Sequence, residues 1–308
     1  MPGDSPVTPV LIDTDPGIDD ALALLLAWES PELRVEAVTT VAGNVPLEAV
    51  MTNVFRLLAL RKPDPAPVVA AGASGPLARA LVTATNYHGE DGLGDLRDWP
   101  AVELPGDLPD AVAVTVDAAR RFQRLLTLVA LGPLTNLALA LKADAAAVGL
   151  VGRVVAMAGA IDVPGNVTPT AEFNVYVDPE AAHRVLAAGL PLDLVPLDAT
   201  RQVVLPRAGL KATLARRRGP VVERVRAFSE RGFRMDHASG AQGMVLHDPL
   251  AVAVALDPTL VEWEAVRLAI GPDGETARVT GEPNCRIAKK VDVDRFLRLF
   301  LDRLCPAS

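Results

Sequence analysis

Cysteine is all but missing from this chain: two occur in 308 residues, Cys285 and Cys305, both late and in no ligand-like spacing. That excludes a disulfide framework and a thiolate zinc site, and both thiols are expected free in a reducing compartment. Basic charge is in deficit, with 30 Lys plus Arg against 38 Asp plus Glu, a net charge of −8, and Arg216-Arg217-Arg218 as the one short basic run. Such a chain is not built to track a phosphate backbone, so no nucleic-acid partner is expected. Long hydrophobic runs are also lacking. Apolar stretches are broken by Gly, Pro, Lys or Asp, and Met1 to Pro6 shows no basic segment leading into an apolar core. Neither a membrane span nor an export signal is expected, which makes the cytoplasm the expected location.

Apolar residues are plentiful, at 50% hydrophobic content, enough for one large core, and residues 1–308 are expected to form a single domain. Short β-branched runs alternate with helical patterns. Strands are expected at Val7 to Thr14, Val35 to Val41, Pro67 to Ala71, Leu125 to Leu131, Arg153 to Met157 and Leu192 to Leu197. Helices are expected at Asp19 to Trp28, Leu47 to Leu60, Ala111 to Phe122, Leu134 to Leu141 and Pro179 to Ala188. The alternation implies an α/β fold with a mostly parallel central sheet and helices on both faces. In such sheets ligands bind beyond the carboxyl ends of the strands. The polar clusters at Asp13 to Asp20, Gly43-Asn44, Leu131-Gly132-Pro133 and Gly159 to Asn174 all fall there, which implies one composite site. Residues 219–243 carry Arg224, Arg226, Arg231, Arg234, Asp236 and His237 and are expected to form a partly helical, mobile flap.

The densest cluster is Asp13-Thr14-Asp15-Pro16-Gly17-Ile18-Asp19-Asp20, four aspartates in eight residues between an apolar strand and an apolar helix. A helix cap accounts for one of them, since an acid at a helix N-terminus is favoured. Four would repel one another in a poorly solvated place unless a cation neutralised them. Carboxylates without Cys or His suit Ca²⁺ or Mg²⁺ and argue against Zn²⁺.

The run DTDPGIDDA, Asp13 to Ala21, resembles the signature of the inosine-uridine preferring nucleoside hydrolases. Further blocks similar to that family follow in its order: Val41 to Asn44, His88-Gly89 with Asp91 to Gly94, Leu131 to Asn136, Met157 to Ala160, Gly165 to Thr168, Ala171 to Asn174, and His247 to Leu250. The resemblance spans residues 8–300. It implies a Rossmann-like fold, a bound Ca²⁺, a ribonucleoside substrate and a homo-oligomer of two or four copies. It also implies that Asp15, Asp20, Asp248 and the Leu131 carbonyl ligate the metal, that Asp15 doubles as the base toward water, and that Asp19 holds a ribose hydroxyl. Asp13 is expected to orient the loop from behind.

The chemistry agrees with the resemblance. Breaking an N-glycosidic bond passes through a sugar of oxocarbenium character, which nearby negative charge stabilises. Ribose offers three hydroxyls, and Asn44, Asn166, Glu172 and Asn174 are amide and carboxylate groups suited to them. Glu172 and Asn174 share a face if their segment is extended. For Gly43-Asn44 and Gly165-Asn166 a plain turn role is the alternative. His247 precedes Asp248 and is the candidate acid toward the leaving base, while His88 and Met157 are expected to line the substrate pocket. His183 is expected at the surface or half-buried, and His237 has no assigned role. With aromatics at only 4%, leaving-group activation by histidine fits better than by ring stacking. That histidine pattern is the one of the inosine-uridine and pyrimidine-preferring members. The flap has no tyrosine; Phe228 and Phe233 are the rings it offers to a base.

Two alternatives belong to other classes. Asp13 and Asp15 could be the pair of a haloacid-dehalogenase-type phosphatase, but Pro16 stands where glycine is favoured and Asp19-Asp20 would be idle. A non-catalytic nucleoside or ribose binder would need the ribose residues without Asp15 or His247. An EF-hand fails, because Leu24 falls where a bidentate Glu is required.

Overall fold

The structure is a computed structural model that describes residues 7–304; Cys305 lies outside the described residues. Its first half alternates strand and helix: β1 (Thr8–Thr14), α1 (Ile18–Trp28), β2 (Leu33–Thr40), α2 (Leu47–Arg61), β3 (Val68–Ala70), the short α3 (Thr85–His88), α4 (Ala111–Phe122), β4 (Thr127–Ala130), α5 (Thr135–Val148) and β5 (Arg153–Ala156). Then come α6 (Phe173–Val177), α7 (Pro179–Ala187), β6 (Leu192–Leu194), α8 (Leu197–Thr200), β7 (Val204–Leu205), α9 (Arg207–Ala215), α10 (Pro220–Ala238) and β8 (Met244–Val245). The chain closes with α11 (His247–Leu256), β9 (Val261–Val266), β10 (Leu268–Ile270), β11 (Thr276–Arg278), β12 (Cys285–Val291) and α12 (Val293–Leu304).

Eight strands form one sheet in the order β3-β2-β1-β4-β5-β6-β12-β9. All neighbours are parallel except β9, which runs antiparallel to β12. From β1 the chain adds strands first on one side and then, through β4, on the other, so the β1/β4 boundary is the switch point where such sheets open a crevice at their strand ends. β1 is buried on both faces from Pro9 onward, which is why it reads as a nearly unbroken apolar run.

One face of the sheet carries α1, α10, α11 and α12, with Leu22, Leu25, Phe228 and Phe296 in its core; the other carries α4, α5 and α7, with Leu128, Leu137 and Val185. Every residue of α1 from Ile18 to Ala27 is buried. A helix apolar all round belongs inside, and α11 covers the side the sheet leaves. The acid-bearing start of α1 is therefore buried as well.

Several sequence expectations are corrected. The strand expected from Leu125 starts at Thr127, because Gln123–Leu125 is a 3-10 turn that leaves Leu125 exposed. The helix expected to stop at Leu141 runs to Val148 across a kink at Asp144. The strand expected to reach Leu197 ends at Leu194, and Leu197 opens α8 behind Pro196, which donates no ladder bond. Residues 220–238 of the expected partly helical flap are one continuous helix, α10. Its phenylalanines face the core instead of a base: Phe228 is fully buried and Phe233 nearly so.

Candidate active site

The site begins where β1 passes into α1. Asp15 is fully buried, its Oδ2 accepting from the Asn44 backbone N–H at 2.7 Å, while Oδ1 has no hydrogen-bond partner. The loops after β2 and β4 close over it. A Cβ at Gly43 would sit 2.1 Å from Oδ2 and one at Gly132 2.6 Å from Oδ1, so glycine at both positions is what leaves the carboxylate room. Asp20, in the first turn of α1, is held on both oxygens: Thr14 Oγ1 donates at 2.7 Å to one, and Gly17 N and Asn44 Nδ2 donate at 3.0 Å to the other.

Asp248, the second residue of α11, enters from across the helix layer. Asp19, Asp20 and Asp248 each place an oxygen within 4.8 Å of the others, all three buried. Their fields overlap. Burial pushes the Asp19 carboxyl up to about 7 and that of Asp248 well above the usual range, and the neighbouring aspartates add to both shifts. Asp15 is raised for the same two reasons. A convergence of buried carboxylates with one orphaned oxygen fits a hard divalent cation, whose charge would offset both the desolvation and the repulsion.

Behind this well sits Asp13. Its Oδ1 accepts from Thr39 Oγ1 at 2.5 Å and Asn136 Nδ2 at 2.7 Å, tying β1 to β2 and α5; its Oδ2 has no partner, and burial raises it to about 6 against those two bonds. Thr39 and Asn136 carried no role in the sequence reading. Their function depends on partners 26 and 123 residues away, which no local pattern reveals.

The structure brings most of the predicted residues to the rim of the well. The Leu131 carbonyl accepts from Asn174 Nδ2 at 2.6 Å, and the same amide reaches the Met157 carbonyl at 3.0 Å and its sulfur at 3.6 Å. A carbonyl keeps a second lone pair after one such bond. His88 Nδ1 accepts from Ile18 N–H at 3.0 Å, which fixes the neutral tautomer with its proton on Nε2. His247 opens α11, with Nδ1 2.7 Å from Thr200 Oγ1. Both rings are pushed down to about 4, chiefly by burial; Arg201 and then His88 add to the shift at His247.

Glu172 and Asn166 are placed differently. The segment expected to be extended is a helix start: Glu172 caps α6, its oxygens accepting from Gly159, Asn174 and Val175 N–H. Asn166 is exposed, and its oxygen accepts from Phe173 N at 2.9 Å, the geometry of the turn alternative. His183 and His237 are exposed.

Residues 10–298 match the family model described as inosine-uridine preferring nucleoside hydrolase. The chain is 37% identical to a pyrimidine-specific ribonucleoside hydrolase of Salmonella agona, over 96% of this chain and 98% of that one. It is also 37% identical to a protein of the same description from a Shewanella species, over 96% of each. Among solved structures, a plant nucleoside hydrolase superposes with a TM-score of 0.91 at 33% identity, covering 98% of this chain and all of that one. A purine-preferring ribonucleoside hydrolase from Gardnerella vaginalis superposes at 0.89 and 30%, over 96% and 98%.

Proposed function

The chain belongs to the inosine-uridine preferring nucleoside hydrolase family, and from that premise we propose how this site acts on a ribonucleoside. The reaction is hydrolysis of the N-glycosidic bond, giving ribose and free base. The observation that carries the assignment of parts is the convergence of Asp19, Asp20 and Asp248 beside the unpartnered Asp15 Oδ1. Oxygen-only donors make Ca²⁺ the proposed ion, held by Asp15, Asp20, Asp248 and the Leu131 carbonyl. When bound, such an ion supplies fixed positive charge for sugar hydroxyls and makes a coordinated water more acidic.

The chain's own groups then divide the work. Asp15 Oδ1, which has no hydrogen-bond partner, takes the water's proton as the water oxygen bonds to the anomeric carbon. Asp19 accepts from a ribose hydroxyl, and Asn44, which already orders Asp15 and Asp20, faces the same end. Asn174 fixes the Leu131 carbonyl, and Glu172 reaches the sugar only through the α6 start that it caps. The base leaves with the bonding electron pair. His247 is neutral at rest; as negative charge grows on the base the ring takes up a proton from solvent and passes it to the leaving base, while Asp15 returns the water's proton to solvent.

Pyrimidine ribosides are the first substrate class we propose. The support is the His88–His247 pair and the relatives described as pyrimidine-specific. Among the described residues no helix is long and apolar enough to cross a membrane. A cytoplasmic homo-oligomer, folded as one domain, is the accompanying proposal. The test is to incubate the protein with uridine, cytidine and inosine, reading ribose as reducing sugar and free base by chromatography. Stoichiometric ribose and base are expected. Saturable binding without release of either would replace the hydrolase with a nucleoside-binding protein.

A further inference from the structure

The rim of the well away from the sheet is made by α3, which carries His88, and by α10, and polar contacts dock the two. Arg231 of α10 donates to the carbonyls of Tyr87 at 2.7 Å, Asn86 at 3.1 Å and Thr85 at 3.3 Å, and pairs with Asp95 at 2.9 Å. Farther along α10, Asp236 lies on the buried face with Val225, Ser229 and Gly232. A carboxylate there is out of place in an otherwise apolar or small stripe. Its Oδ2 accepts from Val245 N at 2.8 Å, which occupies one oxygen. The carboxylate also accepts from the Tyr87 hydroxyl, whose ring is half-buried and tilted against His88 with centroids 4.7 Å apart. Burial keeps that phenol protonated, and the charges of Asp236 and Asp19 reinforce it. Asp236 is in turn close enough to raise Asp19. Tyr87 and Asp236 thus stand beside His88 and the sugar-facing aspartate, and neither has a part in the sugar chemistry.

We propose that Asp236, aimed by Tyr87, is the specificity-determining group of the base end, accepting a hydrogen bond from an exocyclic amino group and so favouring cytidine over uridine. This deepens the ribonucleoside hydrolase reading and rests on it. Burial raises the Asp236 carboxyl, but the Val245 N–H and the Tyr87 hydroxyl both donate to it and oppose that shift, and a carboxylate so held offers a third partner only acceptors. An amino group meets it as a donor; a carbonyl in the same place sets lone pairs against lone pairs in a poorly solvated pocket. Unpaired buried polar groups of this kind discriminate strongly. An amide of the same shape can turn its NH₂ toward a carbonyl, and the preference should follow it.

The experiment measures kcat/KM for cytidine and uridine with the wild type, Asp236→Asn and Tyr87→Phe. The wild type is expected to favour cytidine. Asp236→Asn should shift the cytidine-to-uridine ratio toward uridine by about tenfold or more, the scale of a lost polar contact in a selective pocket. Tyr87→Phe should move it the same way by less, because the carboxylate remains but loses its guide; this variant decides the matter if Asp236→Asn does not fold. A wild-type preference for uridine, an unchanged ratio in both variants, or equal loss on both nucleosides with a lowered Tm would overturn the proposal, the last by making Asp236 only the cap of Val245. A wild type that cleaves neither nucleoside, nor inosine, would show instead that the hydrolase reading itself is wrong, and this proposal would fall with it.

Discussion

The two walls of the cleft are built in opposite ways. The sheet wall consists of buried carboxylates at a strand end and at helix starts, held by backbone N–H groups or short neutral side chains: Asn44 on Asp15, Thr14 and Gly17 on Asp20, Thr39 and Asn136 on Asp13. All of these partners are uncharged. The α10 wall is held by arginines: Arg231 clasps three carbonyls and Asp95, while Arg224 pairs with Asp98 at 2.6 Å and lies over the Trp99 ring at 4.8 Å. A well left short of positive charge is suited to recruiting it from outside, whereas a wall supplied with its own is complete as folded. On the proposed reading the sugar chemistry belongs to the first wall and base recognition to the second.

The largest effects should come from the sheet wall and strike every substrate alike. Asp15→Ala removes both the unpartnered oxygen and the proposed base toward water, so turnover of uridine and inosine should fall by on the order of 10⁴-fold or more. A steady-state assay showing loss on one nucleoside only would merge the two walls into one.

His247→Ala should separate them. A nucleobase needs a proton to leave, so this variant should lose on the order of 10²-fold to 10⁴-fold on uridine. A nitrophenyl riboside, whose leaving group departs as an anion, should be far less affected. Equal loss on both substrates would make His247 a support for Asp248 and no acid. The sugar can be varied as well: 2′-deoxyuridine should be cleaved ~10³-fold less efficiently than uridine, because one hydroxyl position is left unpaired. Comparable kcat/KM values would contradict the placing of ribose against Asp19 and Asn44.

Much of the sheet wall was legible in sequence, and little of the other. Asp13 to Asp20 is contiguous because one strand end and one helix start carry it, and Gly43-Asn44 follows the neighbouring strand. Such short runs advertise themselves. Glu172 and Asn174 misled, because a two-residue spacing fits an extended segment and a capped helix start equally well, and only the Gly159 and Val175 N–H groups decide. Arg231 and its Tyr87 carbonyl are 144 residues apart, and the segment between β3 and α4 has scarcely any periodicity to place it. The flap phenylalanines, expected as the rings offered to a base, are core residues. The C-terminal strands β9 and β12 escaped the alternating pattern because they join the sheet as an antiparallel pair.

A smaller effect concerns stability without metal. Asp13 at about 6 and Asp19 at about 7, with Asp15 and Asp248 also raised, hold protons more tightly folded than unfolded. Their contribution is therefore fully present on the acid side and is lost as pH rises through these values. His88 and His247, lowered to about 4, act in the opposite sense between there and the ordinary imidazole value, but they are two against four. Chelated protein should melt several degrees lower at about pH 8 than at about pH 6, and added Ca²⁺ should restore the difference. A Tm that rises across that interval in chelator would count against the well as a cation site.

Calcium titration of the chelated protein by calorimetry at about pH 8 tests the central claim most directly. The account predicts one ion per chain, binding lost in Asp20→Asn and kept in Arg231→Lys, with uridine turnover returning in proportion to the ion bound. Full uridine turnover in chelator, with no heat of binding, would contradict it.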